Sequence, residues 1–481
     1  LTFAAGSTYQ VEANAAGQSD KTVVSGTTTI SGDQTTVSVL AESGSYAAST
    51  QYTILTSTGG VTGTFADVTS NLAFLTPSLS YDATNIYLTL TQNSKHFVDV
   101  ALTRNQHAVA AGLDRIASSV SGDMSAVMTG LRSLSEEGAQ RALNRTGGLT
   151  HPALAEASTF VFQQYLNVLS DRMKGVGQTS ATFAGMTHLA ALGHTASDAT
   201  HSSAPAQGGW MKGYGSLGNR NGEDVSSKYG YRAGSIALGY DRTIGHKGFV
   251  GLSAGYSAAR LSMDQLDDKA DVSIYSAALY GGYCGTPWYV HGALAYGYNR
   301  YDTRRHIVFG DVDRTADATY TGHTVSGYVE AGYPLEIQTL RVTPLASLSA
   351  AYLMRDAFTE EGAGALNLMV DKERSRSLTA SLGARVKRDF KTVAGTVTPE
   401  ASVRWQHEFL DTDYSIDAAF NGYSSSAFTV QTDSAARDSA AIELGVAWAI
   451  RENLDLAAQY AAVFSADRSQ HVGAIGMRLR W

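Results

Sequence analysis

The sequence predicts a mainly β protein: a 12-stranded antiparallel transmembrane β-barrel with a lumenal α-helix, preceded by a helical segment and the end of a β-solenoid. Three observations carry that prediction. The last residues, Ser469 to Trp481, alternate strictly, with Ile475, Met477, Leu479 and Trp481 on one face and Ala474, Gly476, Arg478 and Arg480 on the other. A strand between lipid and a polar lumen must alternate in this way, because its two faces meet different solvents. Charged residues are only 17% of the chain while Gly numbers 48 and Tyr 25, and no run of about 18 apolar residues could cross a bilayer as a helix, a balance that favours β architecture. Ala153 to Lys174, finally, reads as a helix long enough to run the depth of a bilayer core but too polar to face lipid.

Composition also excludes several classes. The net charge of −8 comes without any Lys/Arg-rich run, so no nucleic-acid partner is expected. Cys284 is the sole cysteine, which rules out an intramolecular disulfide and a cysteine-built metal site. The chain opens at Leu1 with neither Met nor a charged and then apolar leader, and so reads as the C-terminal part of a longer protein.

Residues 1–92 are rich in Thr, Ser, Gly and Val, with short strand-like runs at Tyr9, Thr22, Thr35 to Leu40, Tyr52 to Leu55 and Ile86 to Leu90, separated by Gly-containing turns. Such regularly recurring runs fit rungs of a β-solenoid; a small β-sandwich is the alternative. Residues 93–152 change to helical spacing. Ala108, Ala111, Leu113, Ile116 and Val120 form one stripe, and Leu131, Leu134, Ala139, Ala142 and Leu143 form another. Ser135 before Glu136 and Glu137 suits a capped helix start, and Gly147, Gly148 and Pro152 break the chain.

The segment 153–207 supplies the pore helix and a linker. Glu156, Gln163, Gln164, Asn167, Asp171 and Arg172 give the helix a polar surface suited to a channel interior, the alternative being an amphipathic helix packed outside the membrane. Gly175 to Gln207 is poor in large apolar residues and reads as the linker.

From 208 to 481 twelve alternating segments can be counted, at about 208–219, 229–243, 248–263, 270–284, 287–303, 318–334, 338–354, 373–388, 394–410, 436–450, 453–465 and 468–481. Ile236, Leu238 and Tyr240, or Val403, Trp405 and Phe409, share the parity assigned to lipid, since a charge there would cost ~2 to 4 kcal/mol at the midplane. The lumen is then lined by Gly, Ala and Ser, with Arg341, Arg385, Glu400, Arg404, Glu408, Glu443 and Arg478 as charged partners for the helix. Even-numbered connections are short and odd-numbered ones include long polar stretches, which places the first strand's start at the periplasm and the residues before Ala153 outside the cell.

This order resembles the C-terminal part of classical monomeric autotransporters, the type Va secretion family. Tyr52 to Phe65, with Phe74-Leu-Thr-Pro-Ser-Leu79 and Tyr87-Leu-Thr-Leu90, looks like a passenger β-helix end with its autochaperone region. Gly209-Trp-Met-Lys-Gly-Tyr-Gly215 looks like the opening of a translocator barrel, and Met477-Arg-Leu-Arg-Trp481 like the aromatic signal read by the barrel assembly machinery. The resemblance implies a Gram-negative outer-membrane protein, monomeric and in contact with lipid, that anchors and helps export a passenger in the same chain, assisted by that machinery and by periplasmic chaperones. Some members cleave themselves at an Asn-Asn pair in the lumenal helix. Here Asn167 is followed by Val168, so the resemblance does not carry that step.

Chemistry of other kinds finds no support in the residues. Gly213-Tyr-Gly-Ser-Leu-Gly218 satisfies GxGxxG, but polar loop residues follow it where a dinucleotide site needs a helix. There is no HExxH among the 12 histidines and no GxSxG, so neither an enzyme nor a bound cofactor or metal is expected. The competing function is an outer-membrane porin-like channel with an extracellular β-rich appendage.

Overall fold

The computed structural model describes residues 1–175, 208–222, 228–245, 247–263, 265–285, 287–393, 395–451 and 454–479. At the N-terminus the strand-rich turns stack in parallel. Thr2–Phe3, Thr28–Ile30 and Val61–Thr62 form one sheet, Thr8–Ala13, Thr36–Ala41 and Asp67–Ser70 a second, and Thr22–Val24 lies on Ser49–Ser57 in a third. Each coil lays its strands on those of the coil before, so Val11, Val37, Val39 and Ile54 share one continuous core. An antiparallel hairpin, Leu75–Tyr81 with Asn85–Gln92, closes the stack.

Within that hairpin Ile86, Leu88 and Leu90 are buried, which puts Tyr87 on the outer parity, where its hydroxyl donates to Asp82 Oδ2 at 2.7 Å. Tyr87 therefore stands off the buried face of the hairpin. Tyr52 and Phe65 are buried, Tyr52 donating to Asn14 O at 2.8 Å. Phe74 is fully buried and joins the core of the following helices, meeting Phe97 edge-on at 5.1 Å. Phe74→Asp should accordingly cost about 3 to 5 kcal/mol and speed proteolysis of residues 1–92, whereas Tyr87→Asp should digest at close to the wild-type rate.

Four α-helices follow: α1 (Arg104–Ile116), α2 (Gly122–Arg132), α3 (Glu136–Thr146) and α4 (Thr150–Gly175). The second apolar stripe read from sequence is divided between α2 and α3, because Ser135 caps α3 by accepting from Gly138 N at 3.1 Å. Pro152 does not break the chain. It lies in the first turn of α4, where its missing N–H would have no partner in any case.

Twelve strands then form one closed antiparallel sheet: β1 (Gly208–Arg220), β2 (Tyr229–Ile244), β3 (Gly248–Met263), β4 (Lys269–Cys284), β5 (Tyr289–Phe309), β6 (Val312–Gly332), β7 (Leu340–Arg355), β8 (Glu373–Lys387), β9 (Gly395–Glu408), β10 (Asp438–Arg451), β11 (Leu454–Phe464) and β12 (Arg468–Leu479). Neighbours in sequence pair throughout, and β1 closes on β12 with Gly215 opposite Gly473. The outward parity is apolar, as at Leu238, Leu252, Leu294 and Trp405. The GxGxxG glycines lie inside β1, which removes any phosphate-cradling loop.

The fifth connection departs from expectation. It is a two-residue turn between strands of 21 residues each, not a long loop. The segment read as loop keeps pairing because Arg305, Ile307 and Phe309 are buried inward, while Arg304 meets Asp317 at 2.7 Å across the outer face. The seventh and ninth connections do extend outward, carrying the small sheet of Phe358–Thr359, Leu368–Val370, Ser415–Phe420 and Tyr423–Gln431.

These outgrowths clasp the helices at the loop end of the barrel. Asn105 of α1 exchanges two hydrogen bonds with the backbone of Gln431, at 2.8 and 3.1 Å. Arg314 of β6 forks onto Asp123 of α2 at 2.7 and 2.6 Å, which holds that carboxyl below the usual range. The helices thus touch both the coil, through Phe74 and Phe97, and the barrel.

Candidate functional site

The site is built around α4, whose 26 residues extend about 39 Å, enough to pass through the barrel from its loop end to its turn end. At the loop end Thr150 bonds Asp268, and His151 Nε2 lies 2.7 Å from Glu360 Oε1. Arg305 forks onto the same Glu360 at 2.7 Å for each nitrogen. Burial pushes the Glu360 carboxyl up, but the Arg305 charge, with hydrogen bonds from Arg305 and His151, outweighs it and holds the group at about 2. A carboxyl depressed in the folded state stabilises it above the ordinary carboxylate range and ceases to as pH falls through the folded value. Docking of α1–α3 at the loop end of the barrel should therefore survive pH 5 and fail only as pH approaches about 2, read out by pepsin digestion of these helices across a pH series.

Lower down, α4 packs against β2 to β6. Gly255 and Gly297 permit this approach, since a Cβ at these positions would come within 2.9 Å of Tyr165 and 2.7 Å of Phe162. Ser158 shares a hydrogen bond with Tyr301 at 3.0 Å, and Ser170 shares one with Tyr328 at the same distance. Near the turn end Arg172 forks onto Asp241 at 2.7 and 2.8 Å, and Asp241 also accepts from Tyr280 at 2.8 Å. Asp171 meets Lys212 at 3.2 Å. Glu156, fully buried, lies 3.5 Å from Arg220 Nε.

A second set of charges crosses the wall beside the helix. Glu330 collects Arg404 at 3.2 Å, His291 at 3.5 Å and Arg385 at 3.8 Å, and accepts from Tyr289 and Tyr328 at 2.9 and 2.6 Å. Arg385 reaches on to Glu400 at 3.0 Å and Arg404 to Glu443 at 3.4 Å. Buried cations and anions here are paired in chains, as a low-dielectric interior requires. Between α4 and the remaining wall lies a polar cavity of about 140 Å³, lined among others by Gln163, Gln164, Asn167, Ser349 and Glu408.

The expected residues fall into groups. Glu156, Gln164 and Arg172 are buried in the lumen, while Gln163, Asn167 and Asp171 are half-buried there. Arg385, Glu400, Arg404 and Glu443 form the network just described, and Glu408 binds the hydroxyls of Ser377 and Thr379 at 2.6 and 2.8 Å near the loop end. Arg341 stands apart: it pairs with Glu336 in the hairpin at the turn end and does not serve α4. The side chains of Met477, Arg478 and Leu479 and all of Trp481 lie outside the described residues, as does the linker from 176 to 207.

The expected lining of Gly, Ala and Ser with a few charges is also incomplete. Buried tyrosines, among them Tyr214, Tyr231, Tyr280, Tyr301 and Tyr328, fill much of the lumen around the helix. Lys212, Arg220, Asp241, His291 and Glu330 were not anticipated, though each shares the inward parity of small residues on its strand, as Asp241 does with Ala237 and Gly239.

Comparison with known proteins agrees with this architecture. Residues 209–461 match the family described as the autotransporter beta-domain. An extracellular serine protease of Serratia marcescens is 25% identical over 512 residues, covering 100% of this chain and 48% of that protein. The chain thus spans about half the length of that curated relative. Outer membrane protein A of Rickettsia conorii is 25% identical over 45% of this chain and 11% of its own length. Among solved structures, the translocator domain of the autotransporter NalP from Neisseria meningitidis superposes with a TM-score of 0.51 at 15% identity, covering 69% of this chain and 98% of that one.

Proposed function

The chain belongs to the autotransporter beta-domain family, and from that premise we propose that α4 is the tether through which the barrel exports and then displays the N-terminal region. The barrel is an outer-membrane translocator of a Gram-negative cell, serving export of a passenger in the same chain. One observation carries the tether reading. A polar helix runs through a closed barrel, bonded at its start to the long loops through Glu360 and at its end to Asp241 beside a short turn. Short turns face the periplasm and long loops the exterior. Residues before α4 then lie at the cell surface, and β1 begins on the periplasmic side.

The coil of residues 1–92 serves as the passenger's last rungs, with Tyr52, Phe65 and Phe74 holding an autochaperone-like core. Matched relatives include an extracellular serine protease, an esterase and a lipase, and a hydrolytic passenger ahead of Leu1 is consistent with them. The open-porin alternative fits less well, because α4 and the ion-pair chains fill much of the lumen.

Barrel assembly machinery and periplasmic chaperones are the partners this reading requires, with monomeric insertion into outer-membrane lipid. Met477, Leu479 and Trp481 are the assembly signal, so deleting Trp481 should sharply lower the yield of heat-modifiable barrel. Wild-type yield would remove that role. Export itself is tested by fusing a small unrelated domain ahead of Leu1. The domain should reach the surface of intact cells, whereas its retention in the periplasm beside a folded barrel would overturn the translocator reading.

A further inference from the structure

We propose that the outward face of β2 to β5, just beyond the aromatic girdle at the loop end, binds the phosphate of an anionic outer-leaflet lipid through Arg232 and Arg260. The girdle fixes the height. Tyr256, Tyr275 and Tyr298 stand opposite one another across β3, β4 and β5, with ring centroids 5.2 and 6.3 Å apart. Outward aromatic rows of this kind sit at the level where acyl chains give way to headgroups. Each two-residue step along a strand adds about 7 Å. Arg300 is one such step beyond Tyr298, and Arg260 is two beyond Tyr256, which brings both within reach of headgroup phosphates.

The charge pattern at that height is unbalanced. Arg232 stands directly opposite Arg260 in the register of β2 and β3, an arrangement of like charges that destabilises a strand pair unless an anion lies between them. Arg260 is held by Asp271 at 2.7 and 3.2 Å yet its side chain stays 58% exposed, with donors to spare. Among the described residues Arg232 makes no ion pair. On the same face Arg300 is paired with Asp302 at 3.4 Å and Arg304 with Asp317 at 2.7 Å, so the uncompensated charge falls at Arg232 and, nearer the rim, at Lys269. A phosphate accepts from two guanidinium forks at once, and a lipid phosphate is the anion that the girdle places beside them.

The inference rests on the membrane position of the barrel but not on what the barrel exports. Its test is native mass spectrometry of the full chain titrated with phosphatidylglycerol or phosphatidylcholine. Wild-type protein should retain phosphatidylglycerol in preference, and retention should fall about fivefold for each of Arg232→Gln and Arg260→Gln. Lys247→Gln, at a turn on the opposite rim, should change nothing. Arg232→Gln removes no ion pair among the described residues, so it tests the site even where Arg260→Gln, which loses the pair with Asp271, misfolds. Unaltered retention in Arg232→Gln, equal loss in Lys247→Gln, or no preference between the two lipids would overturn the site. Displacement of the lipid by an equal concentration of inorganic phosphate would show a general anion site and overturn the lipid assignment.

Discussion

Removing Ala153 to Lys174 is expected to turn the barrel into a channel with a large and stable conductance in planar bilayers. The helix fills the lumen on the side of β2 to β6, where Tyr165 and Phe162 reach Gly255 and Gly297. What it leaves open is a polar cavity bounded by α4 itself, with Gln163, Gln164 and Asn167 on one wall. Taking the helix away joins that cavity to the space it occupied and releases Arg172 from Asp241 at the turn end. Current indistinguishable from the intact protein would mean that the helix does not plug the lumen in the membrane.

The second large effect is expected at Glu330. Its carboxylate serves Arg404, Arg385 and His291 together, and all four groups are buried. Glu330→Ala leaves Arg385 with only Glu400 and Arg404 with only Glu443, and takes the acceptor from Tyr289 and Tyr328, a loss of up to about 3 to 5 kcal/mol by the cost of breaking a buried charge pair. The temperature at which the folded barrel converts to its slow-migrating form in gel electrophoresis should fall markedly. Glu330→Gln, which keeps an acceptor for Tyr289 and Tyr328, should fall less. A transition unchanged in both variants would show that the network is not part of what holds the wall together.

Much of this architecture was legible because strand alternation reports two solvents at once. Val250, Leu252 and Ala254 in β3, or Ile442, Leu444 and Val446 in β10, are separated by small or polar residues, and each set shares one parity of its strand. The signal fails where the outer solvent changes. Beyond Thr303 the outward positions of β5 include Arg304 and His306 while Arg305 takes the inward parity, so this stretch of the strand reads as a loop. Helix boundaries were legible where local residues fix them, as at Ser135 and at Gly147 and Gly148, which end α3, whereas Pro152 resembles a further break although it lies in the first turn of α4.

Ion-pair partners in the lumen were the least legible part. Glu330 sits on β6 and its partners on β5, β8 and β9, a grouping set by closure of the sheet and by no spacing in sequence. The inward parity of a lone acid or base is visible; which charge it meets across the lumen is not. Arg341 shows the reverse error, having the right parity but lying at the rim, where a neighbouring hairpin supplies Glu336 instead of the helix.

In the arrangement proposed above, the polypeptide passes through its own barrel, with the N-terminal coil at the cell surface and the short turns in the periplasm. A tag ahead of Leu1 and a thiol at Lys247→Cys, in the turn between β2 and β3, read both ends in one cell. Intact bacteria should expose the tag to antibody and protease while the thiol stays protected from an impermeant maleimide until the outer membrane is breached. A tag reached only after breaching, with the thiol labelled on intact cells, would contradict the account.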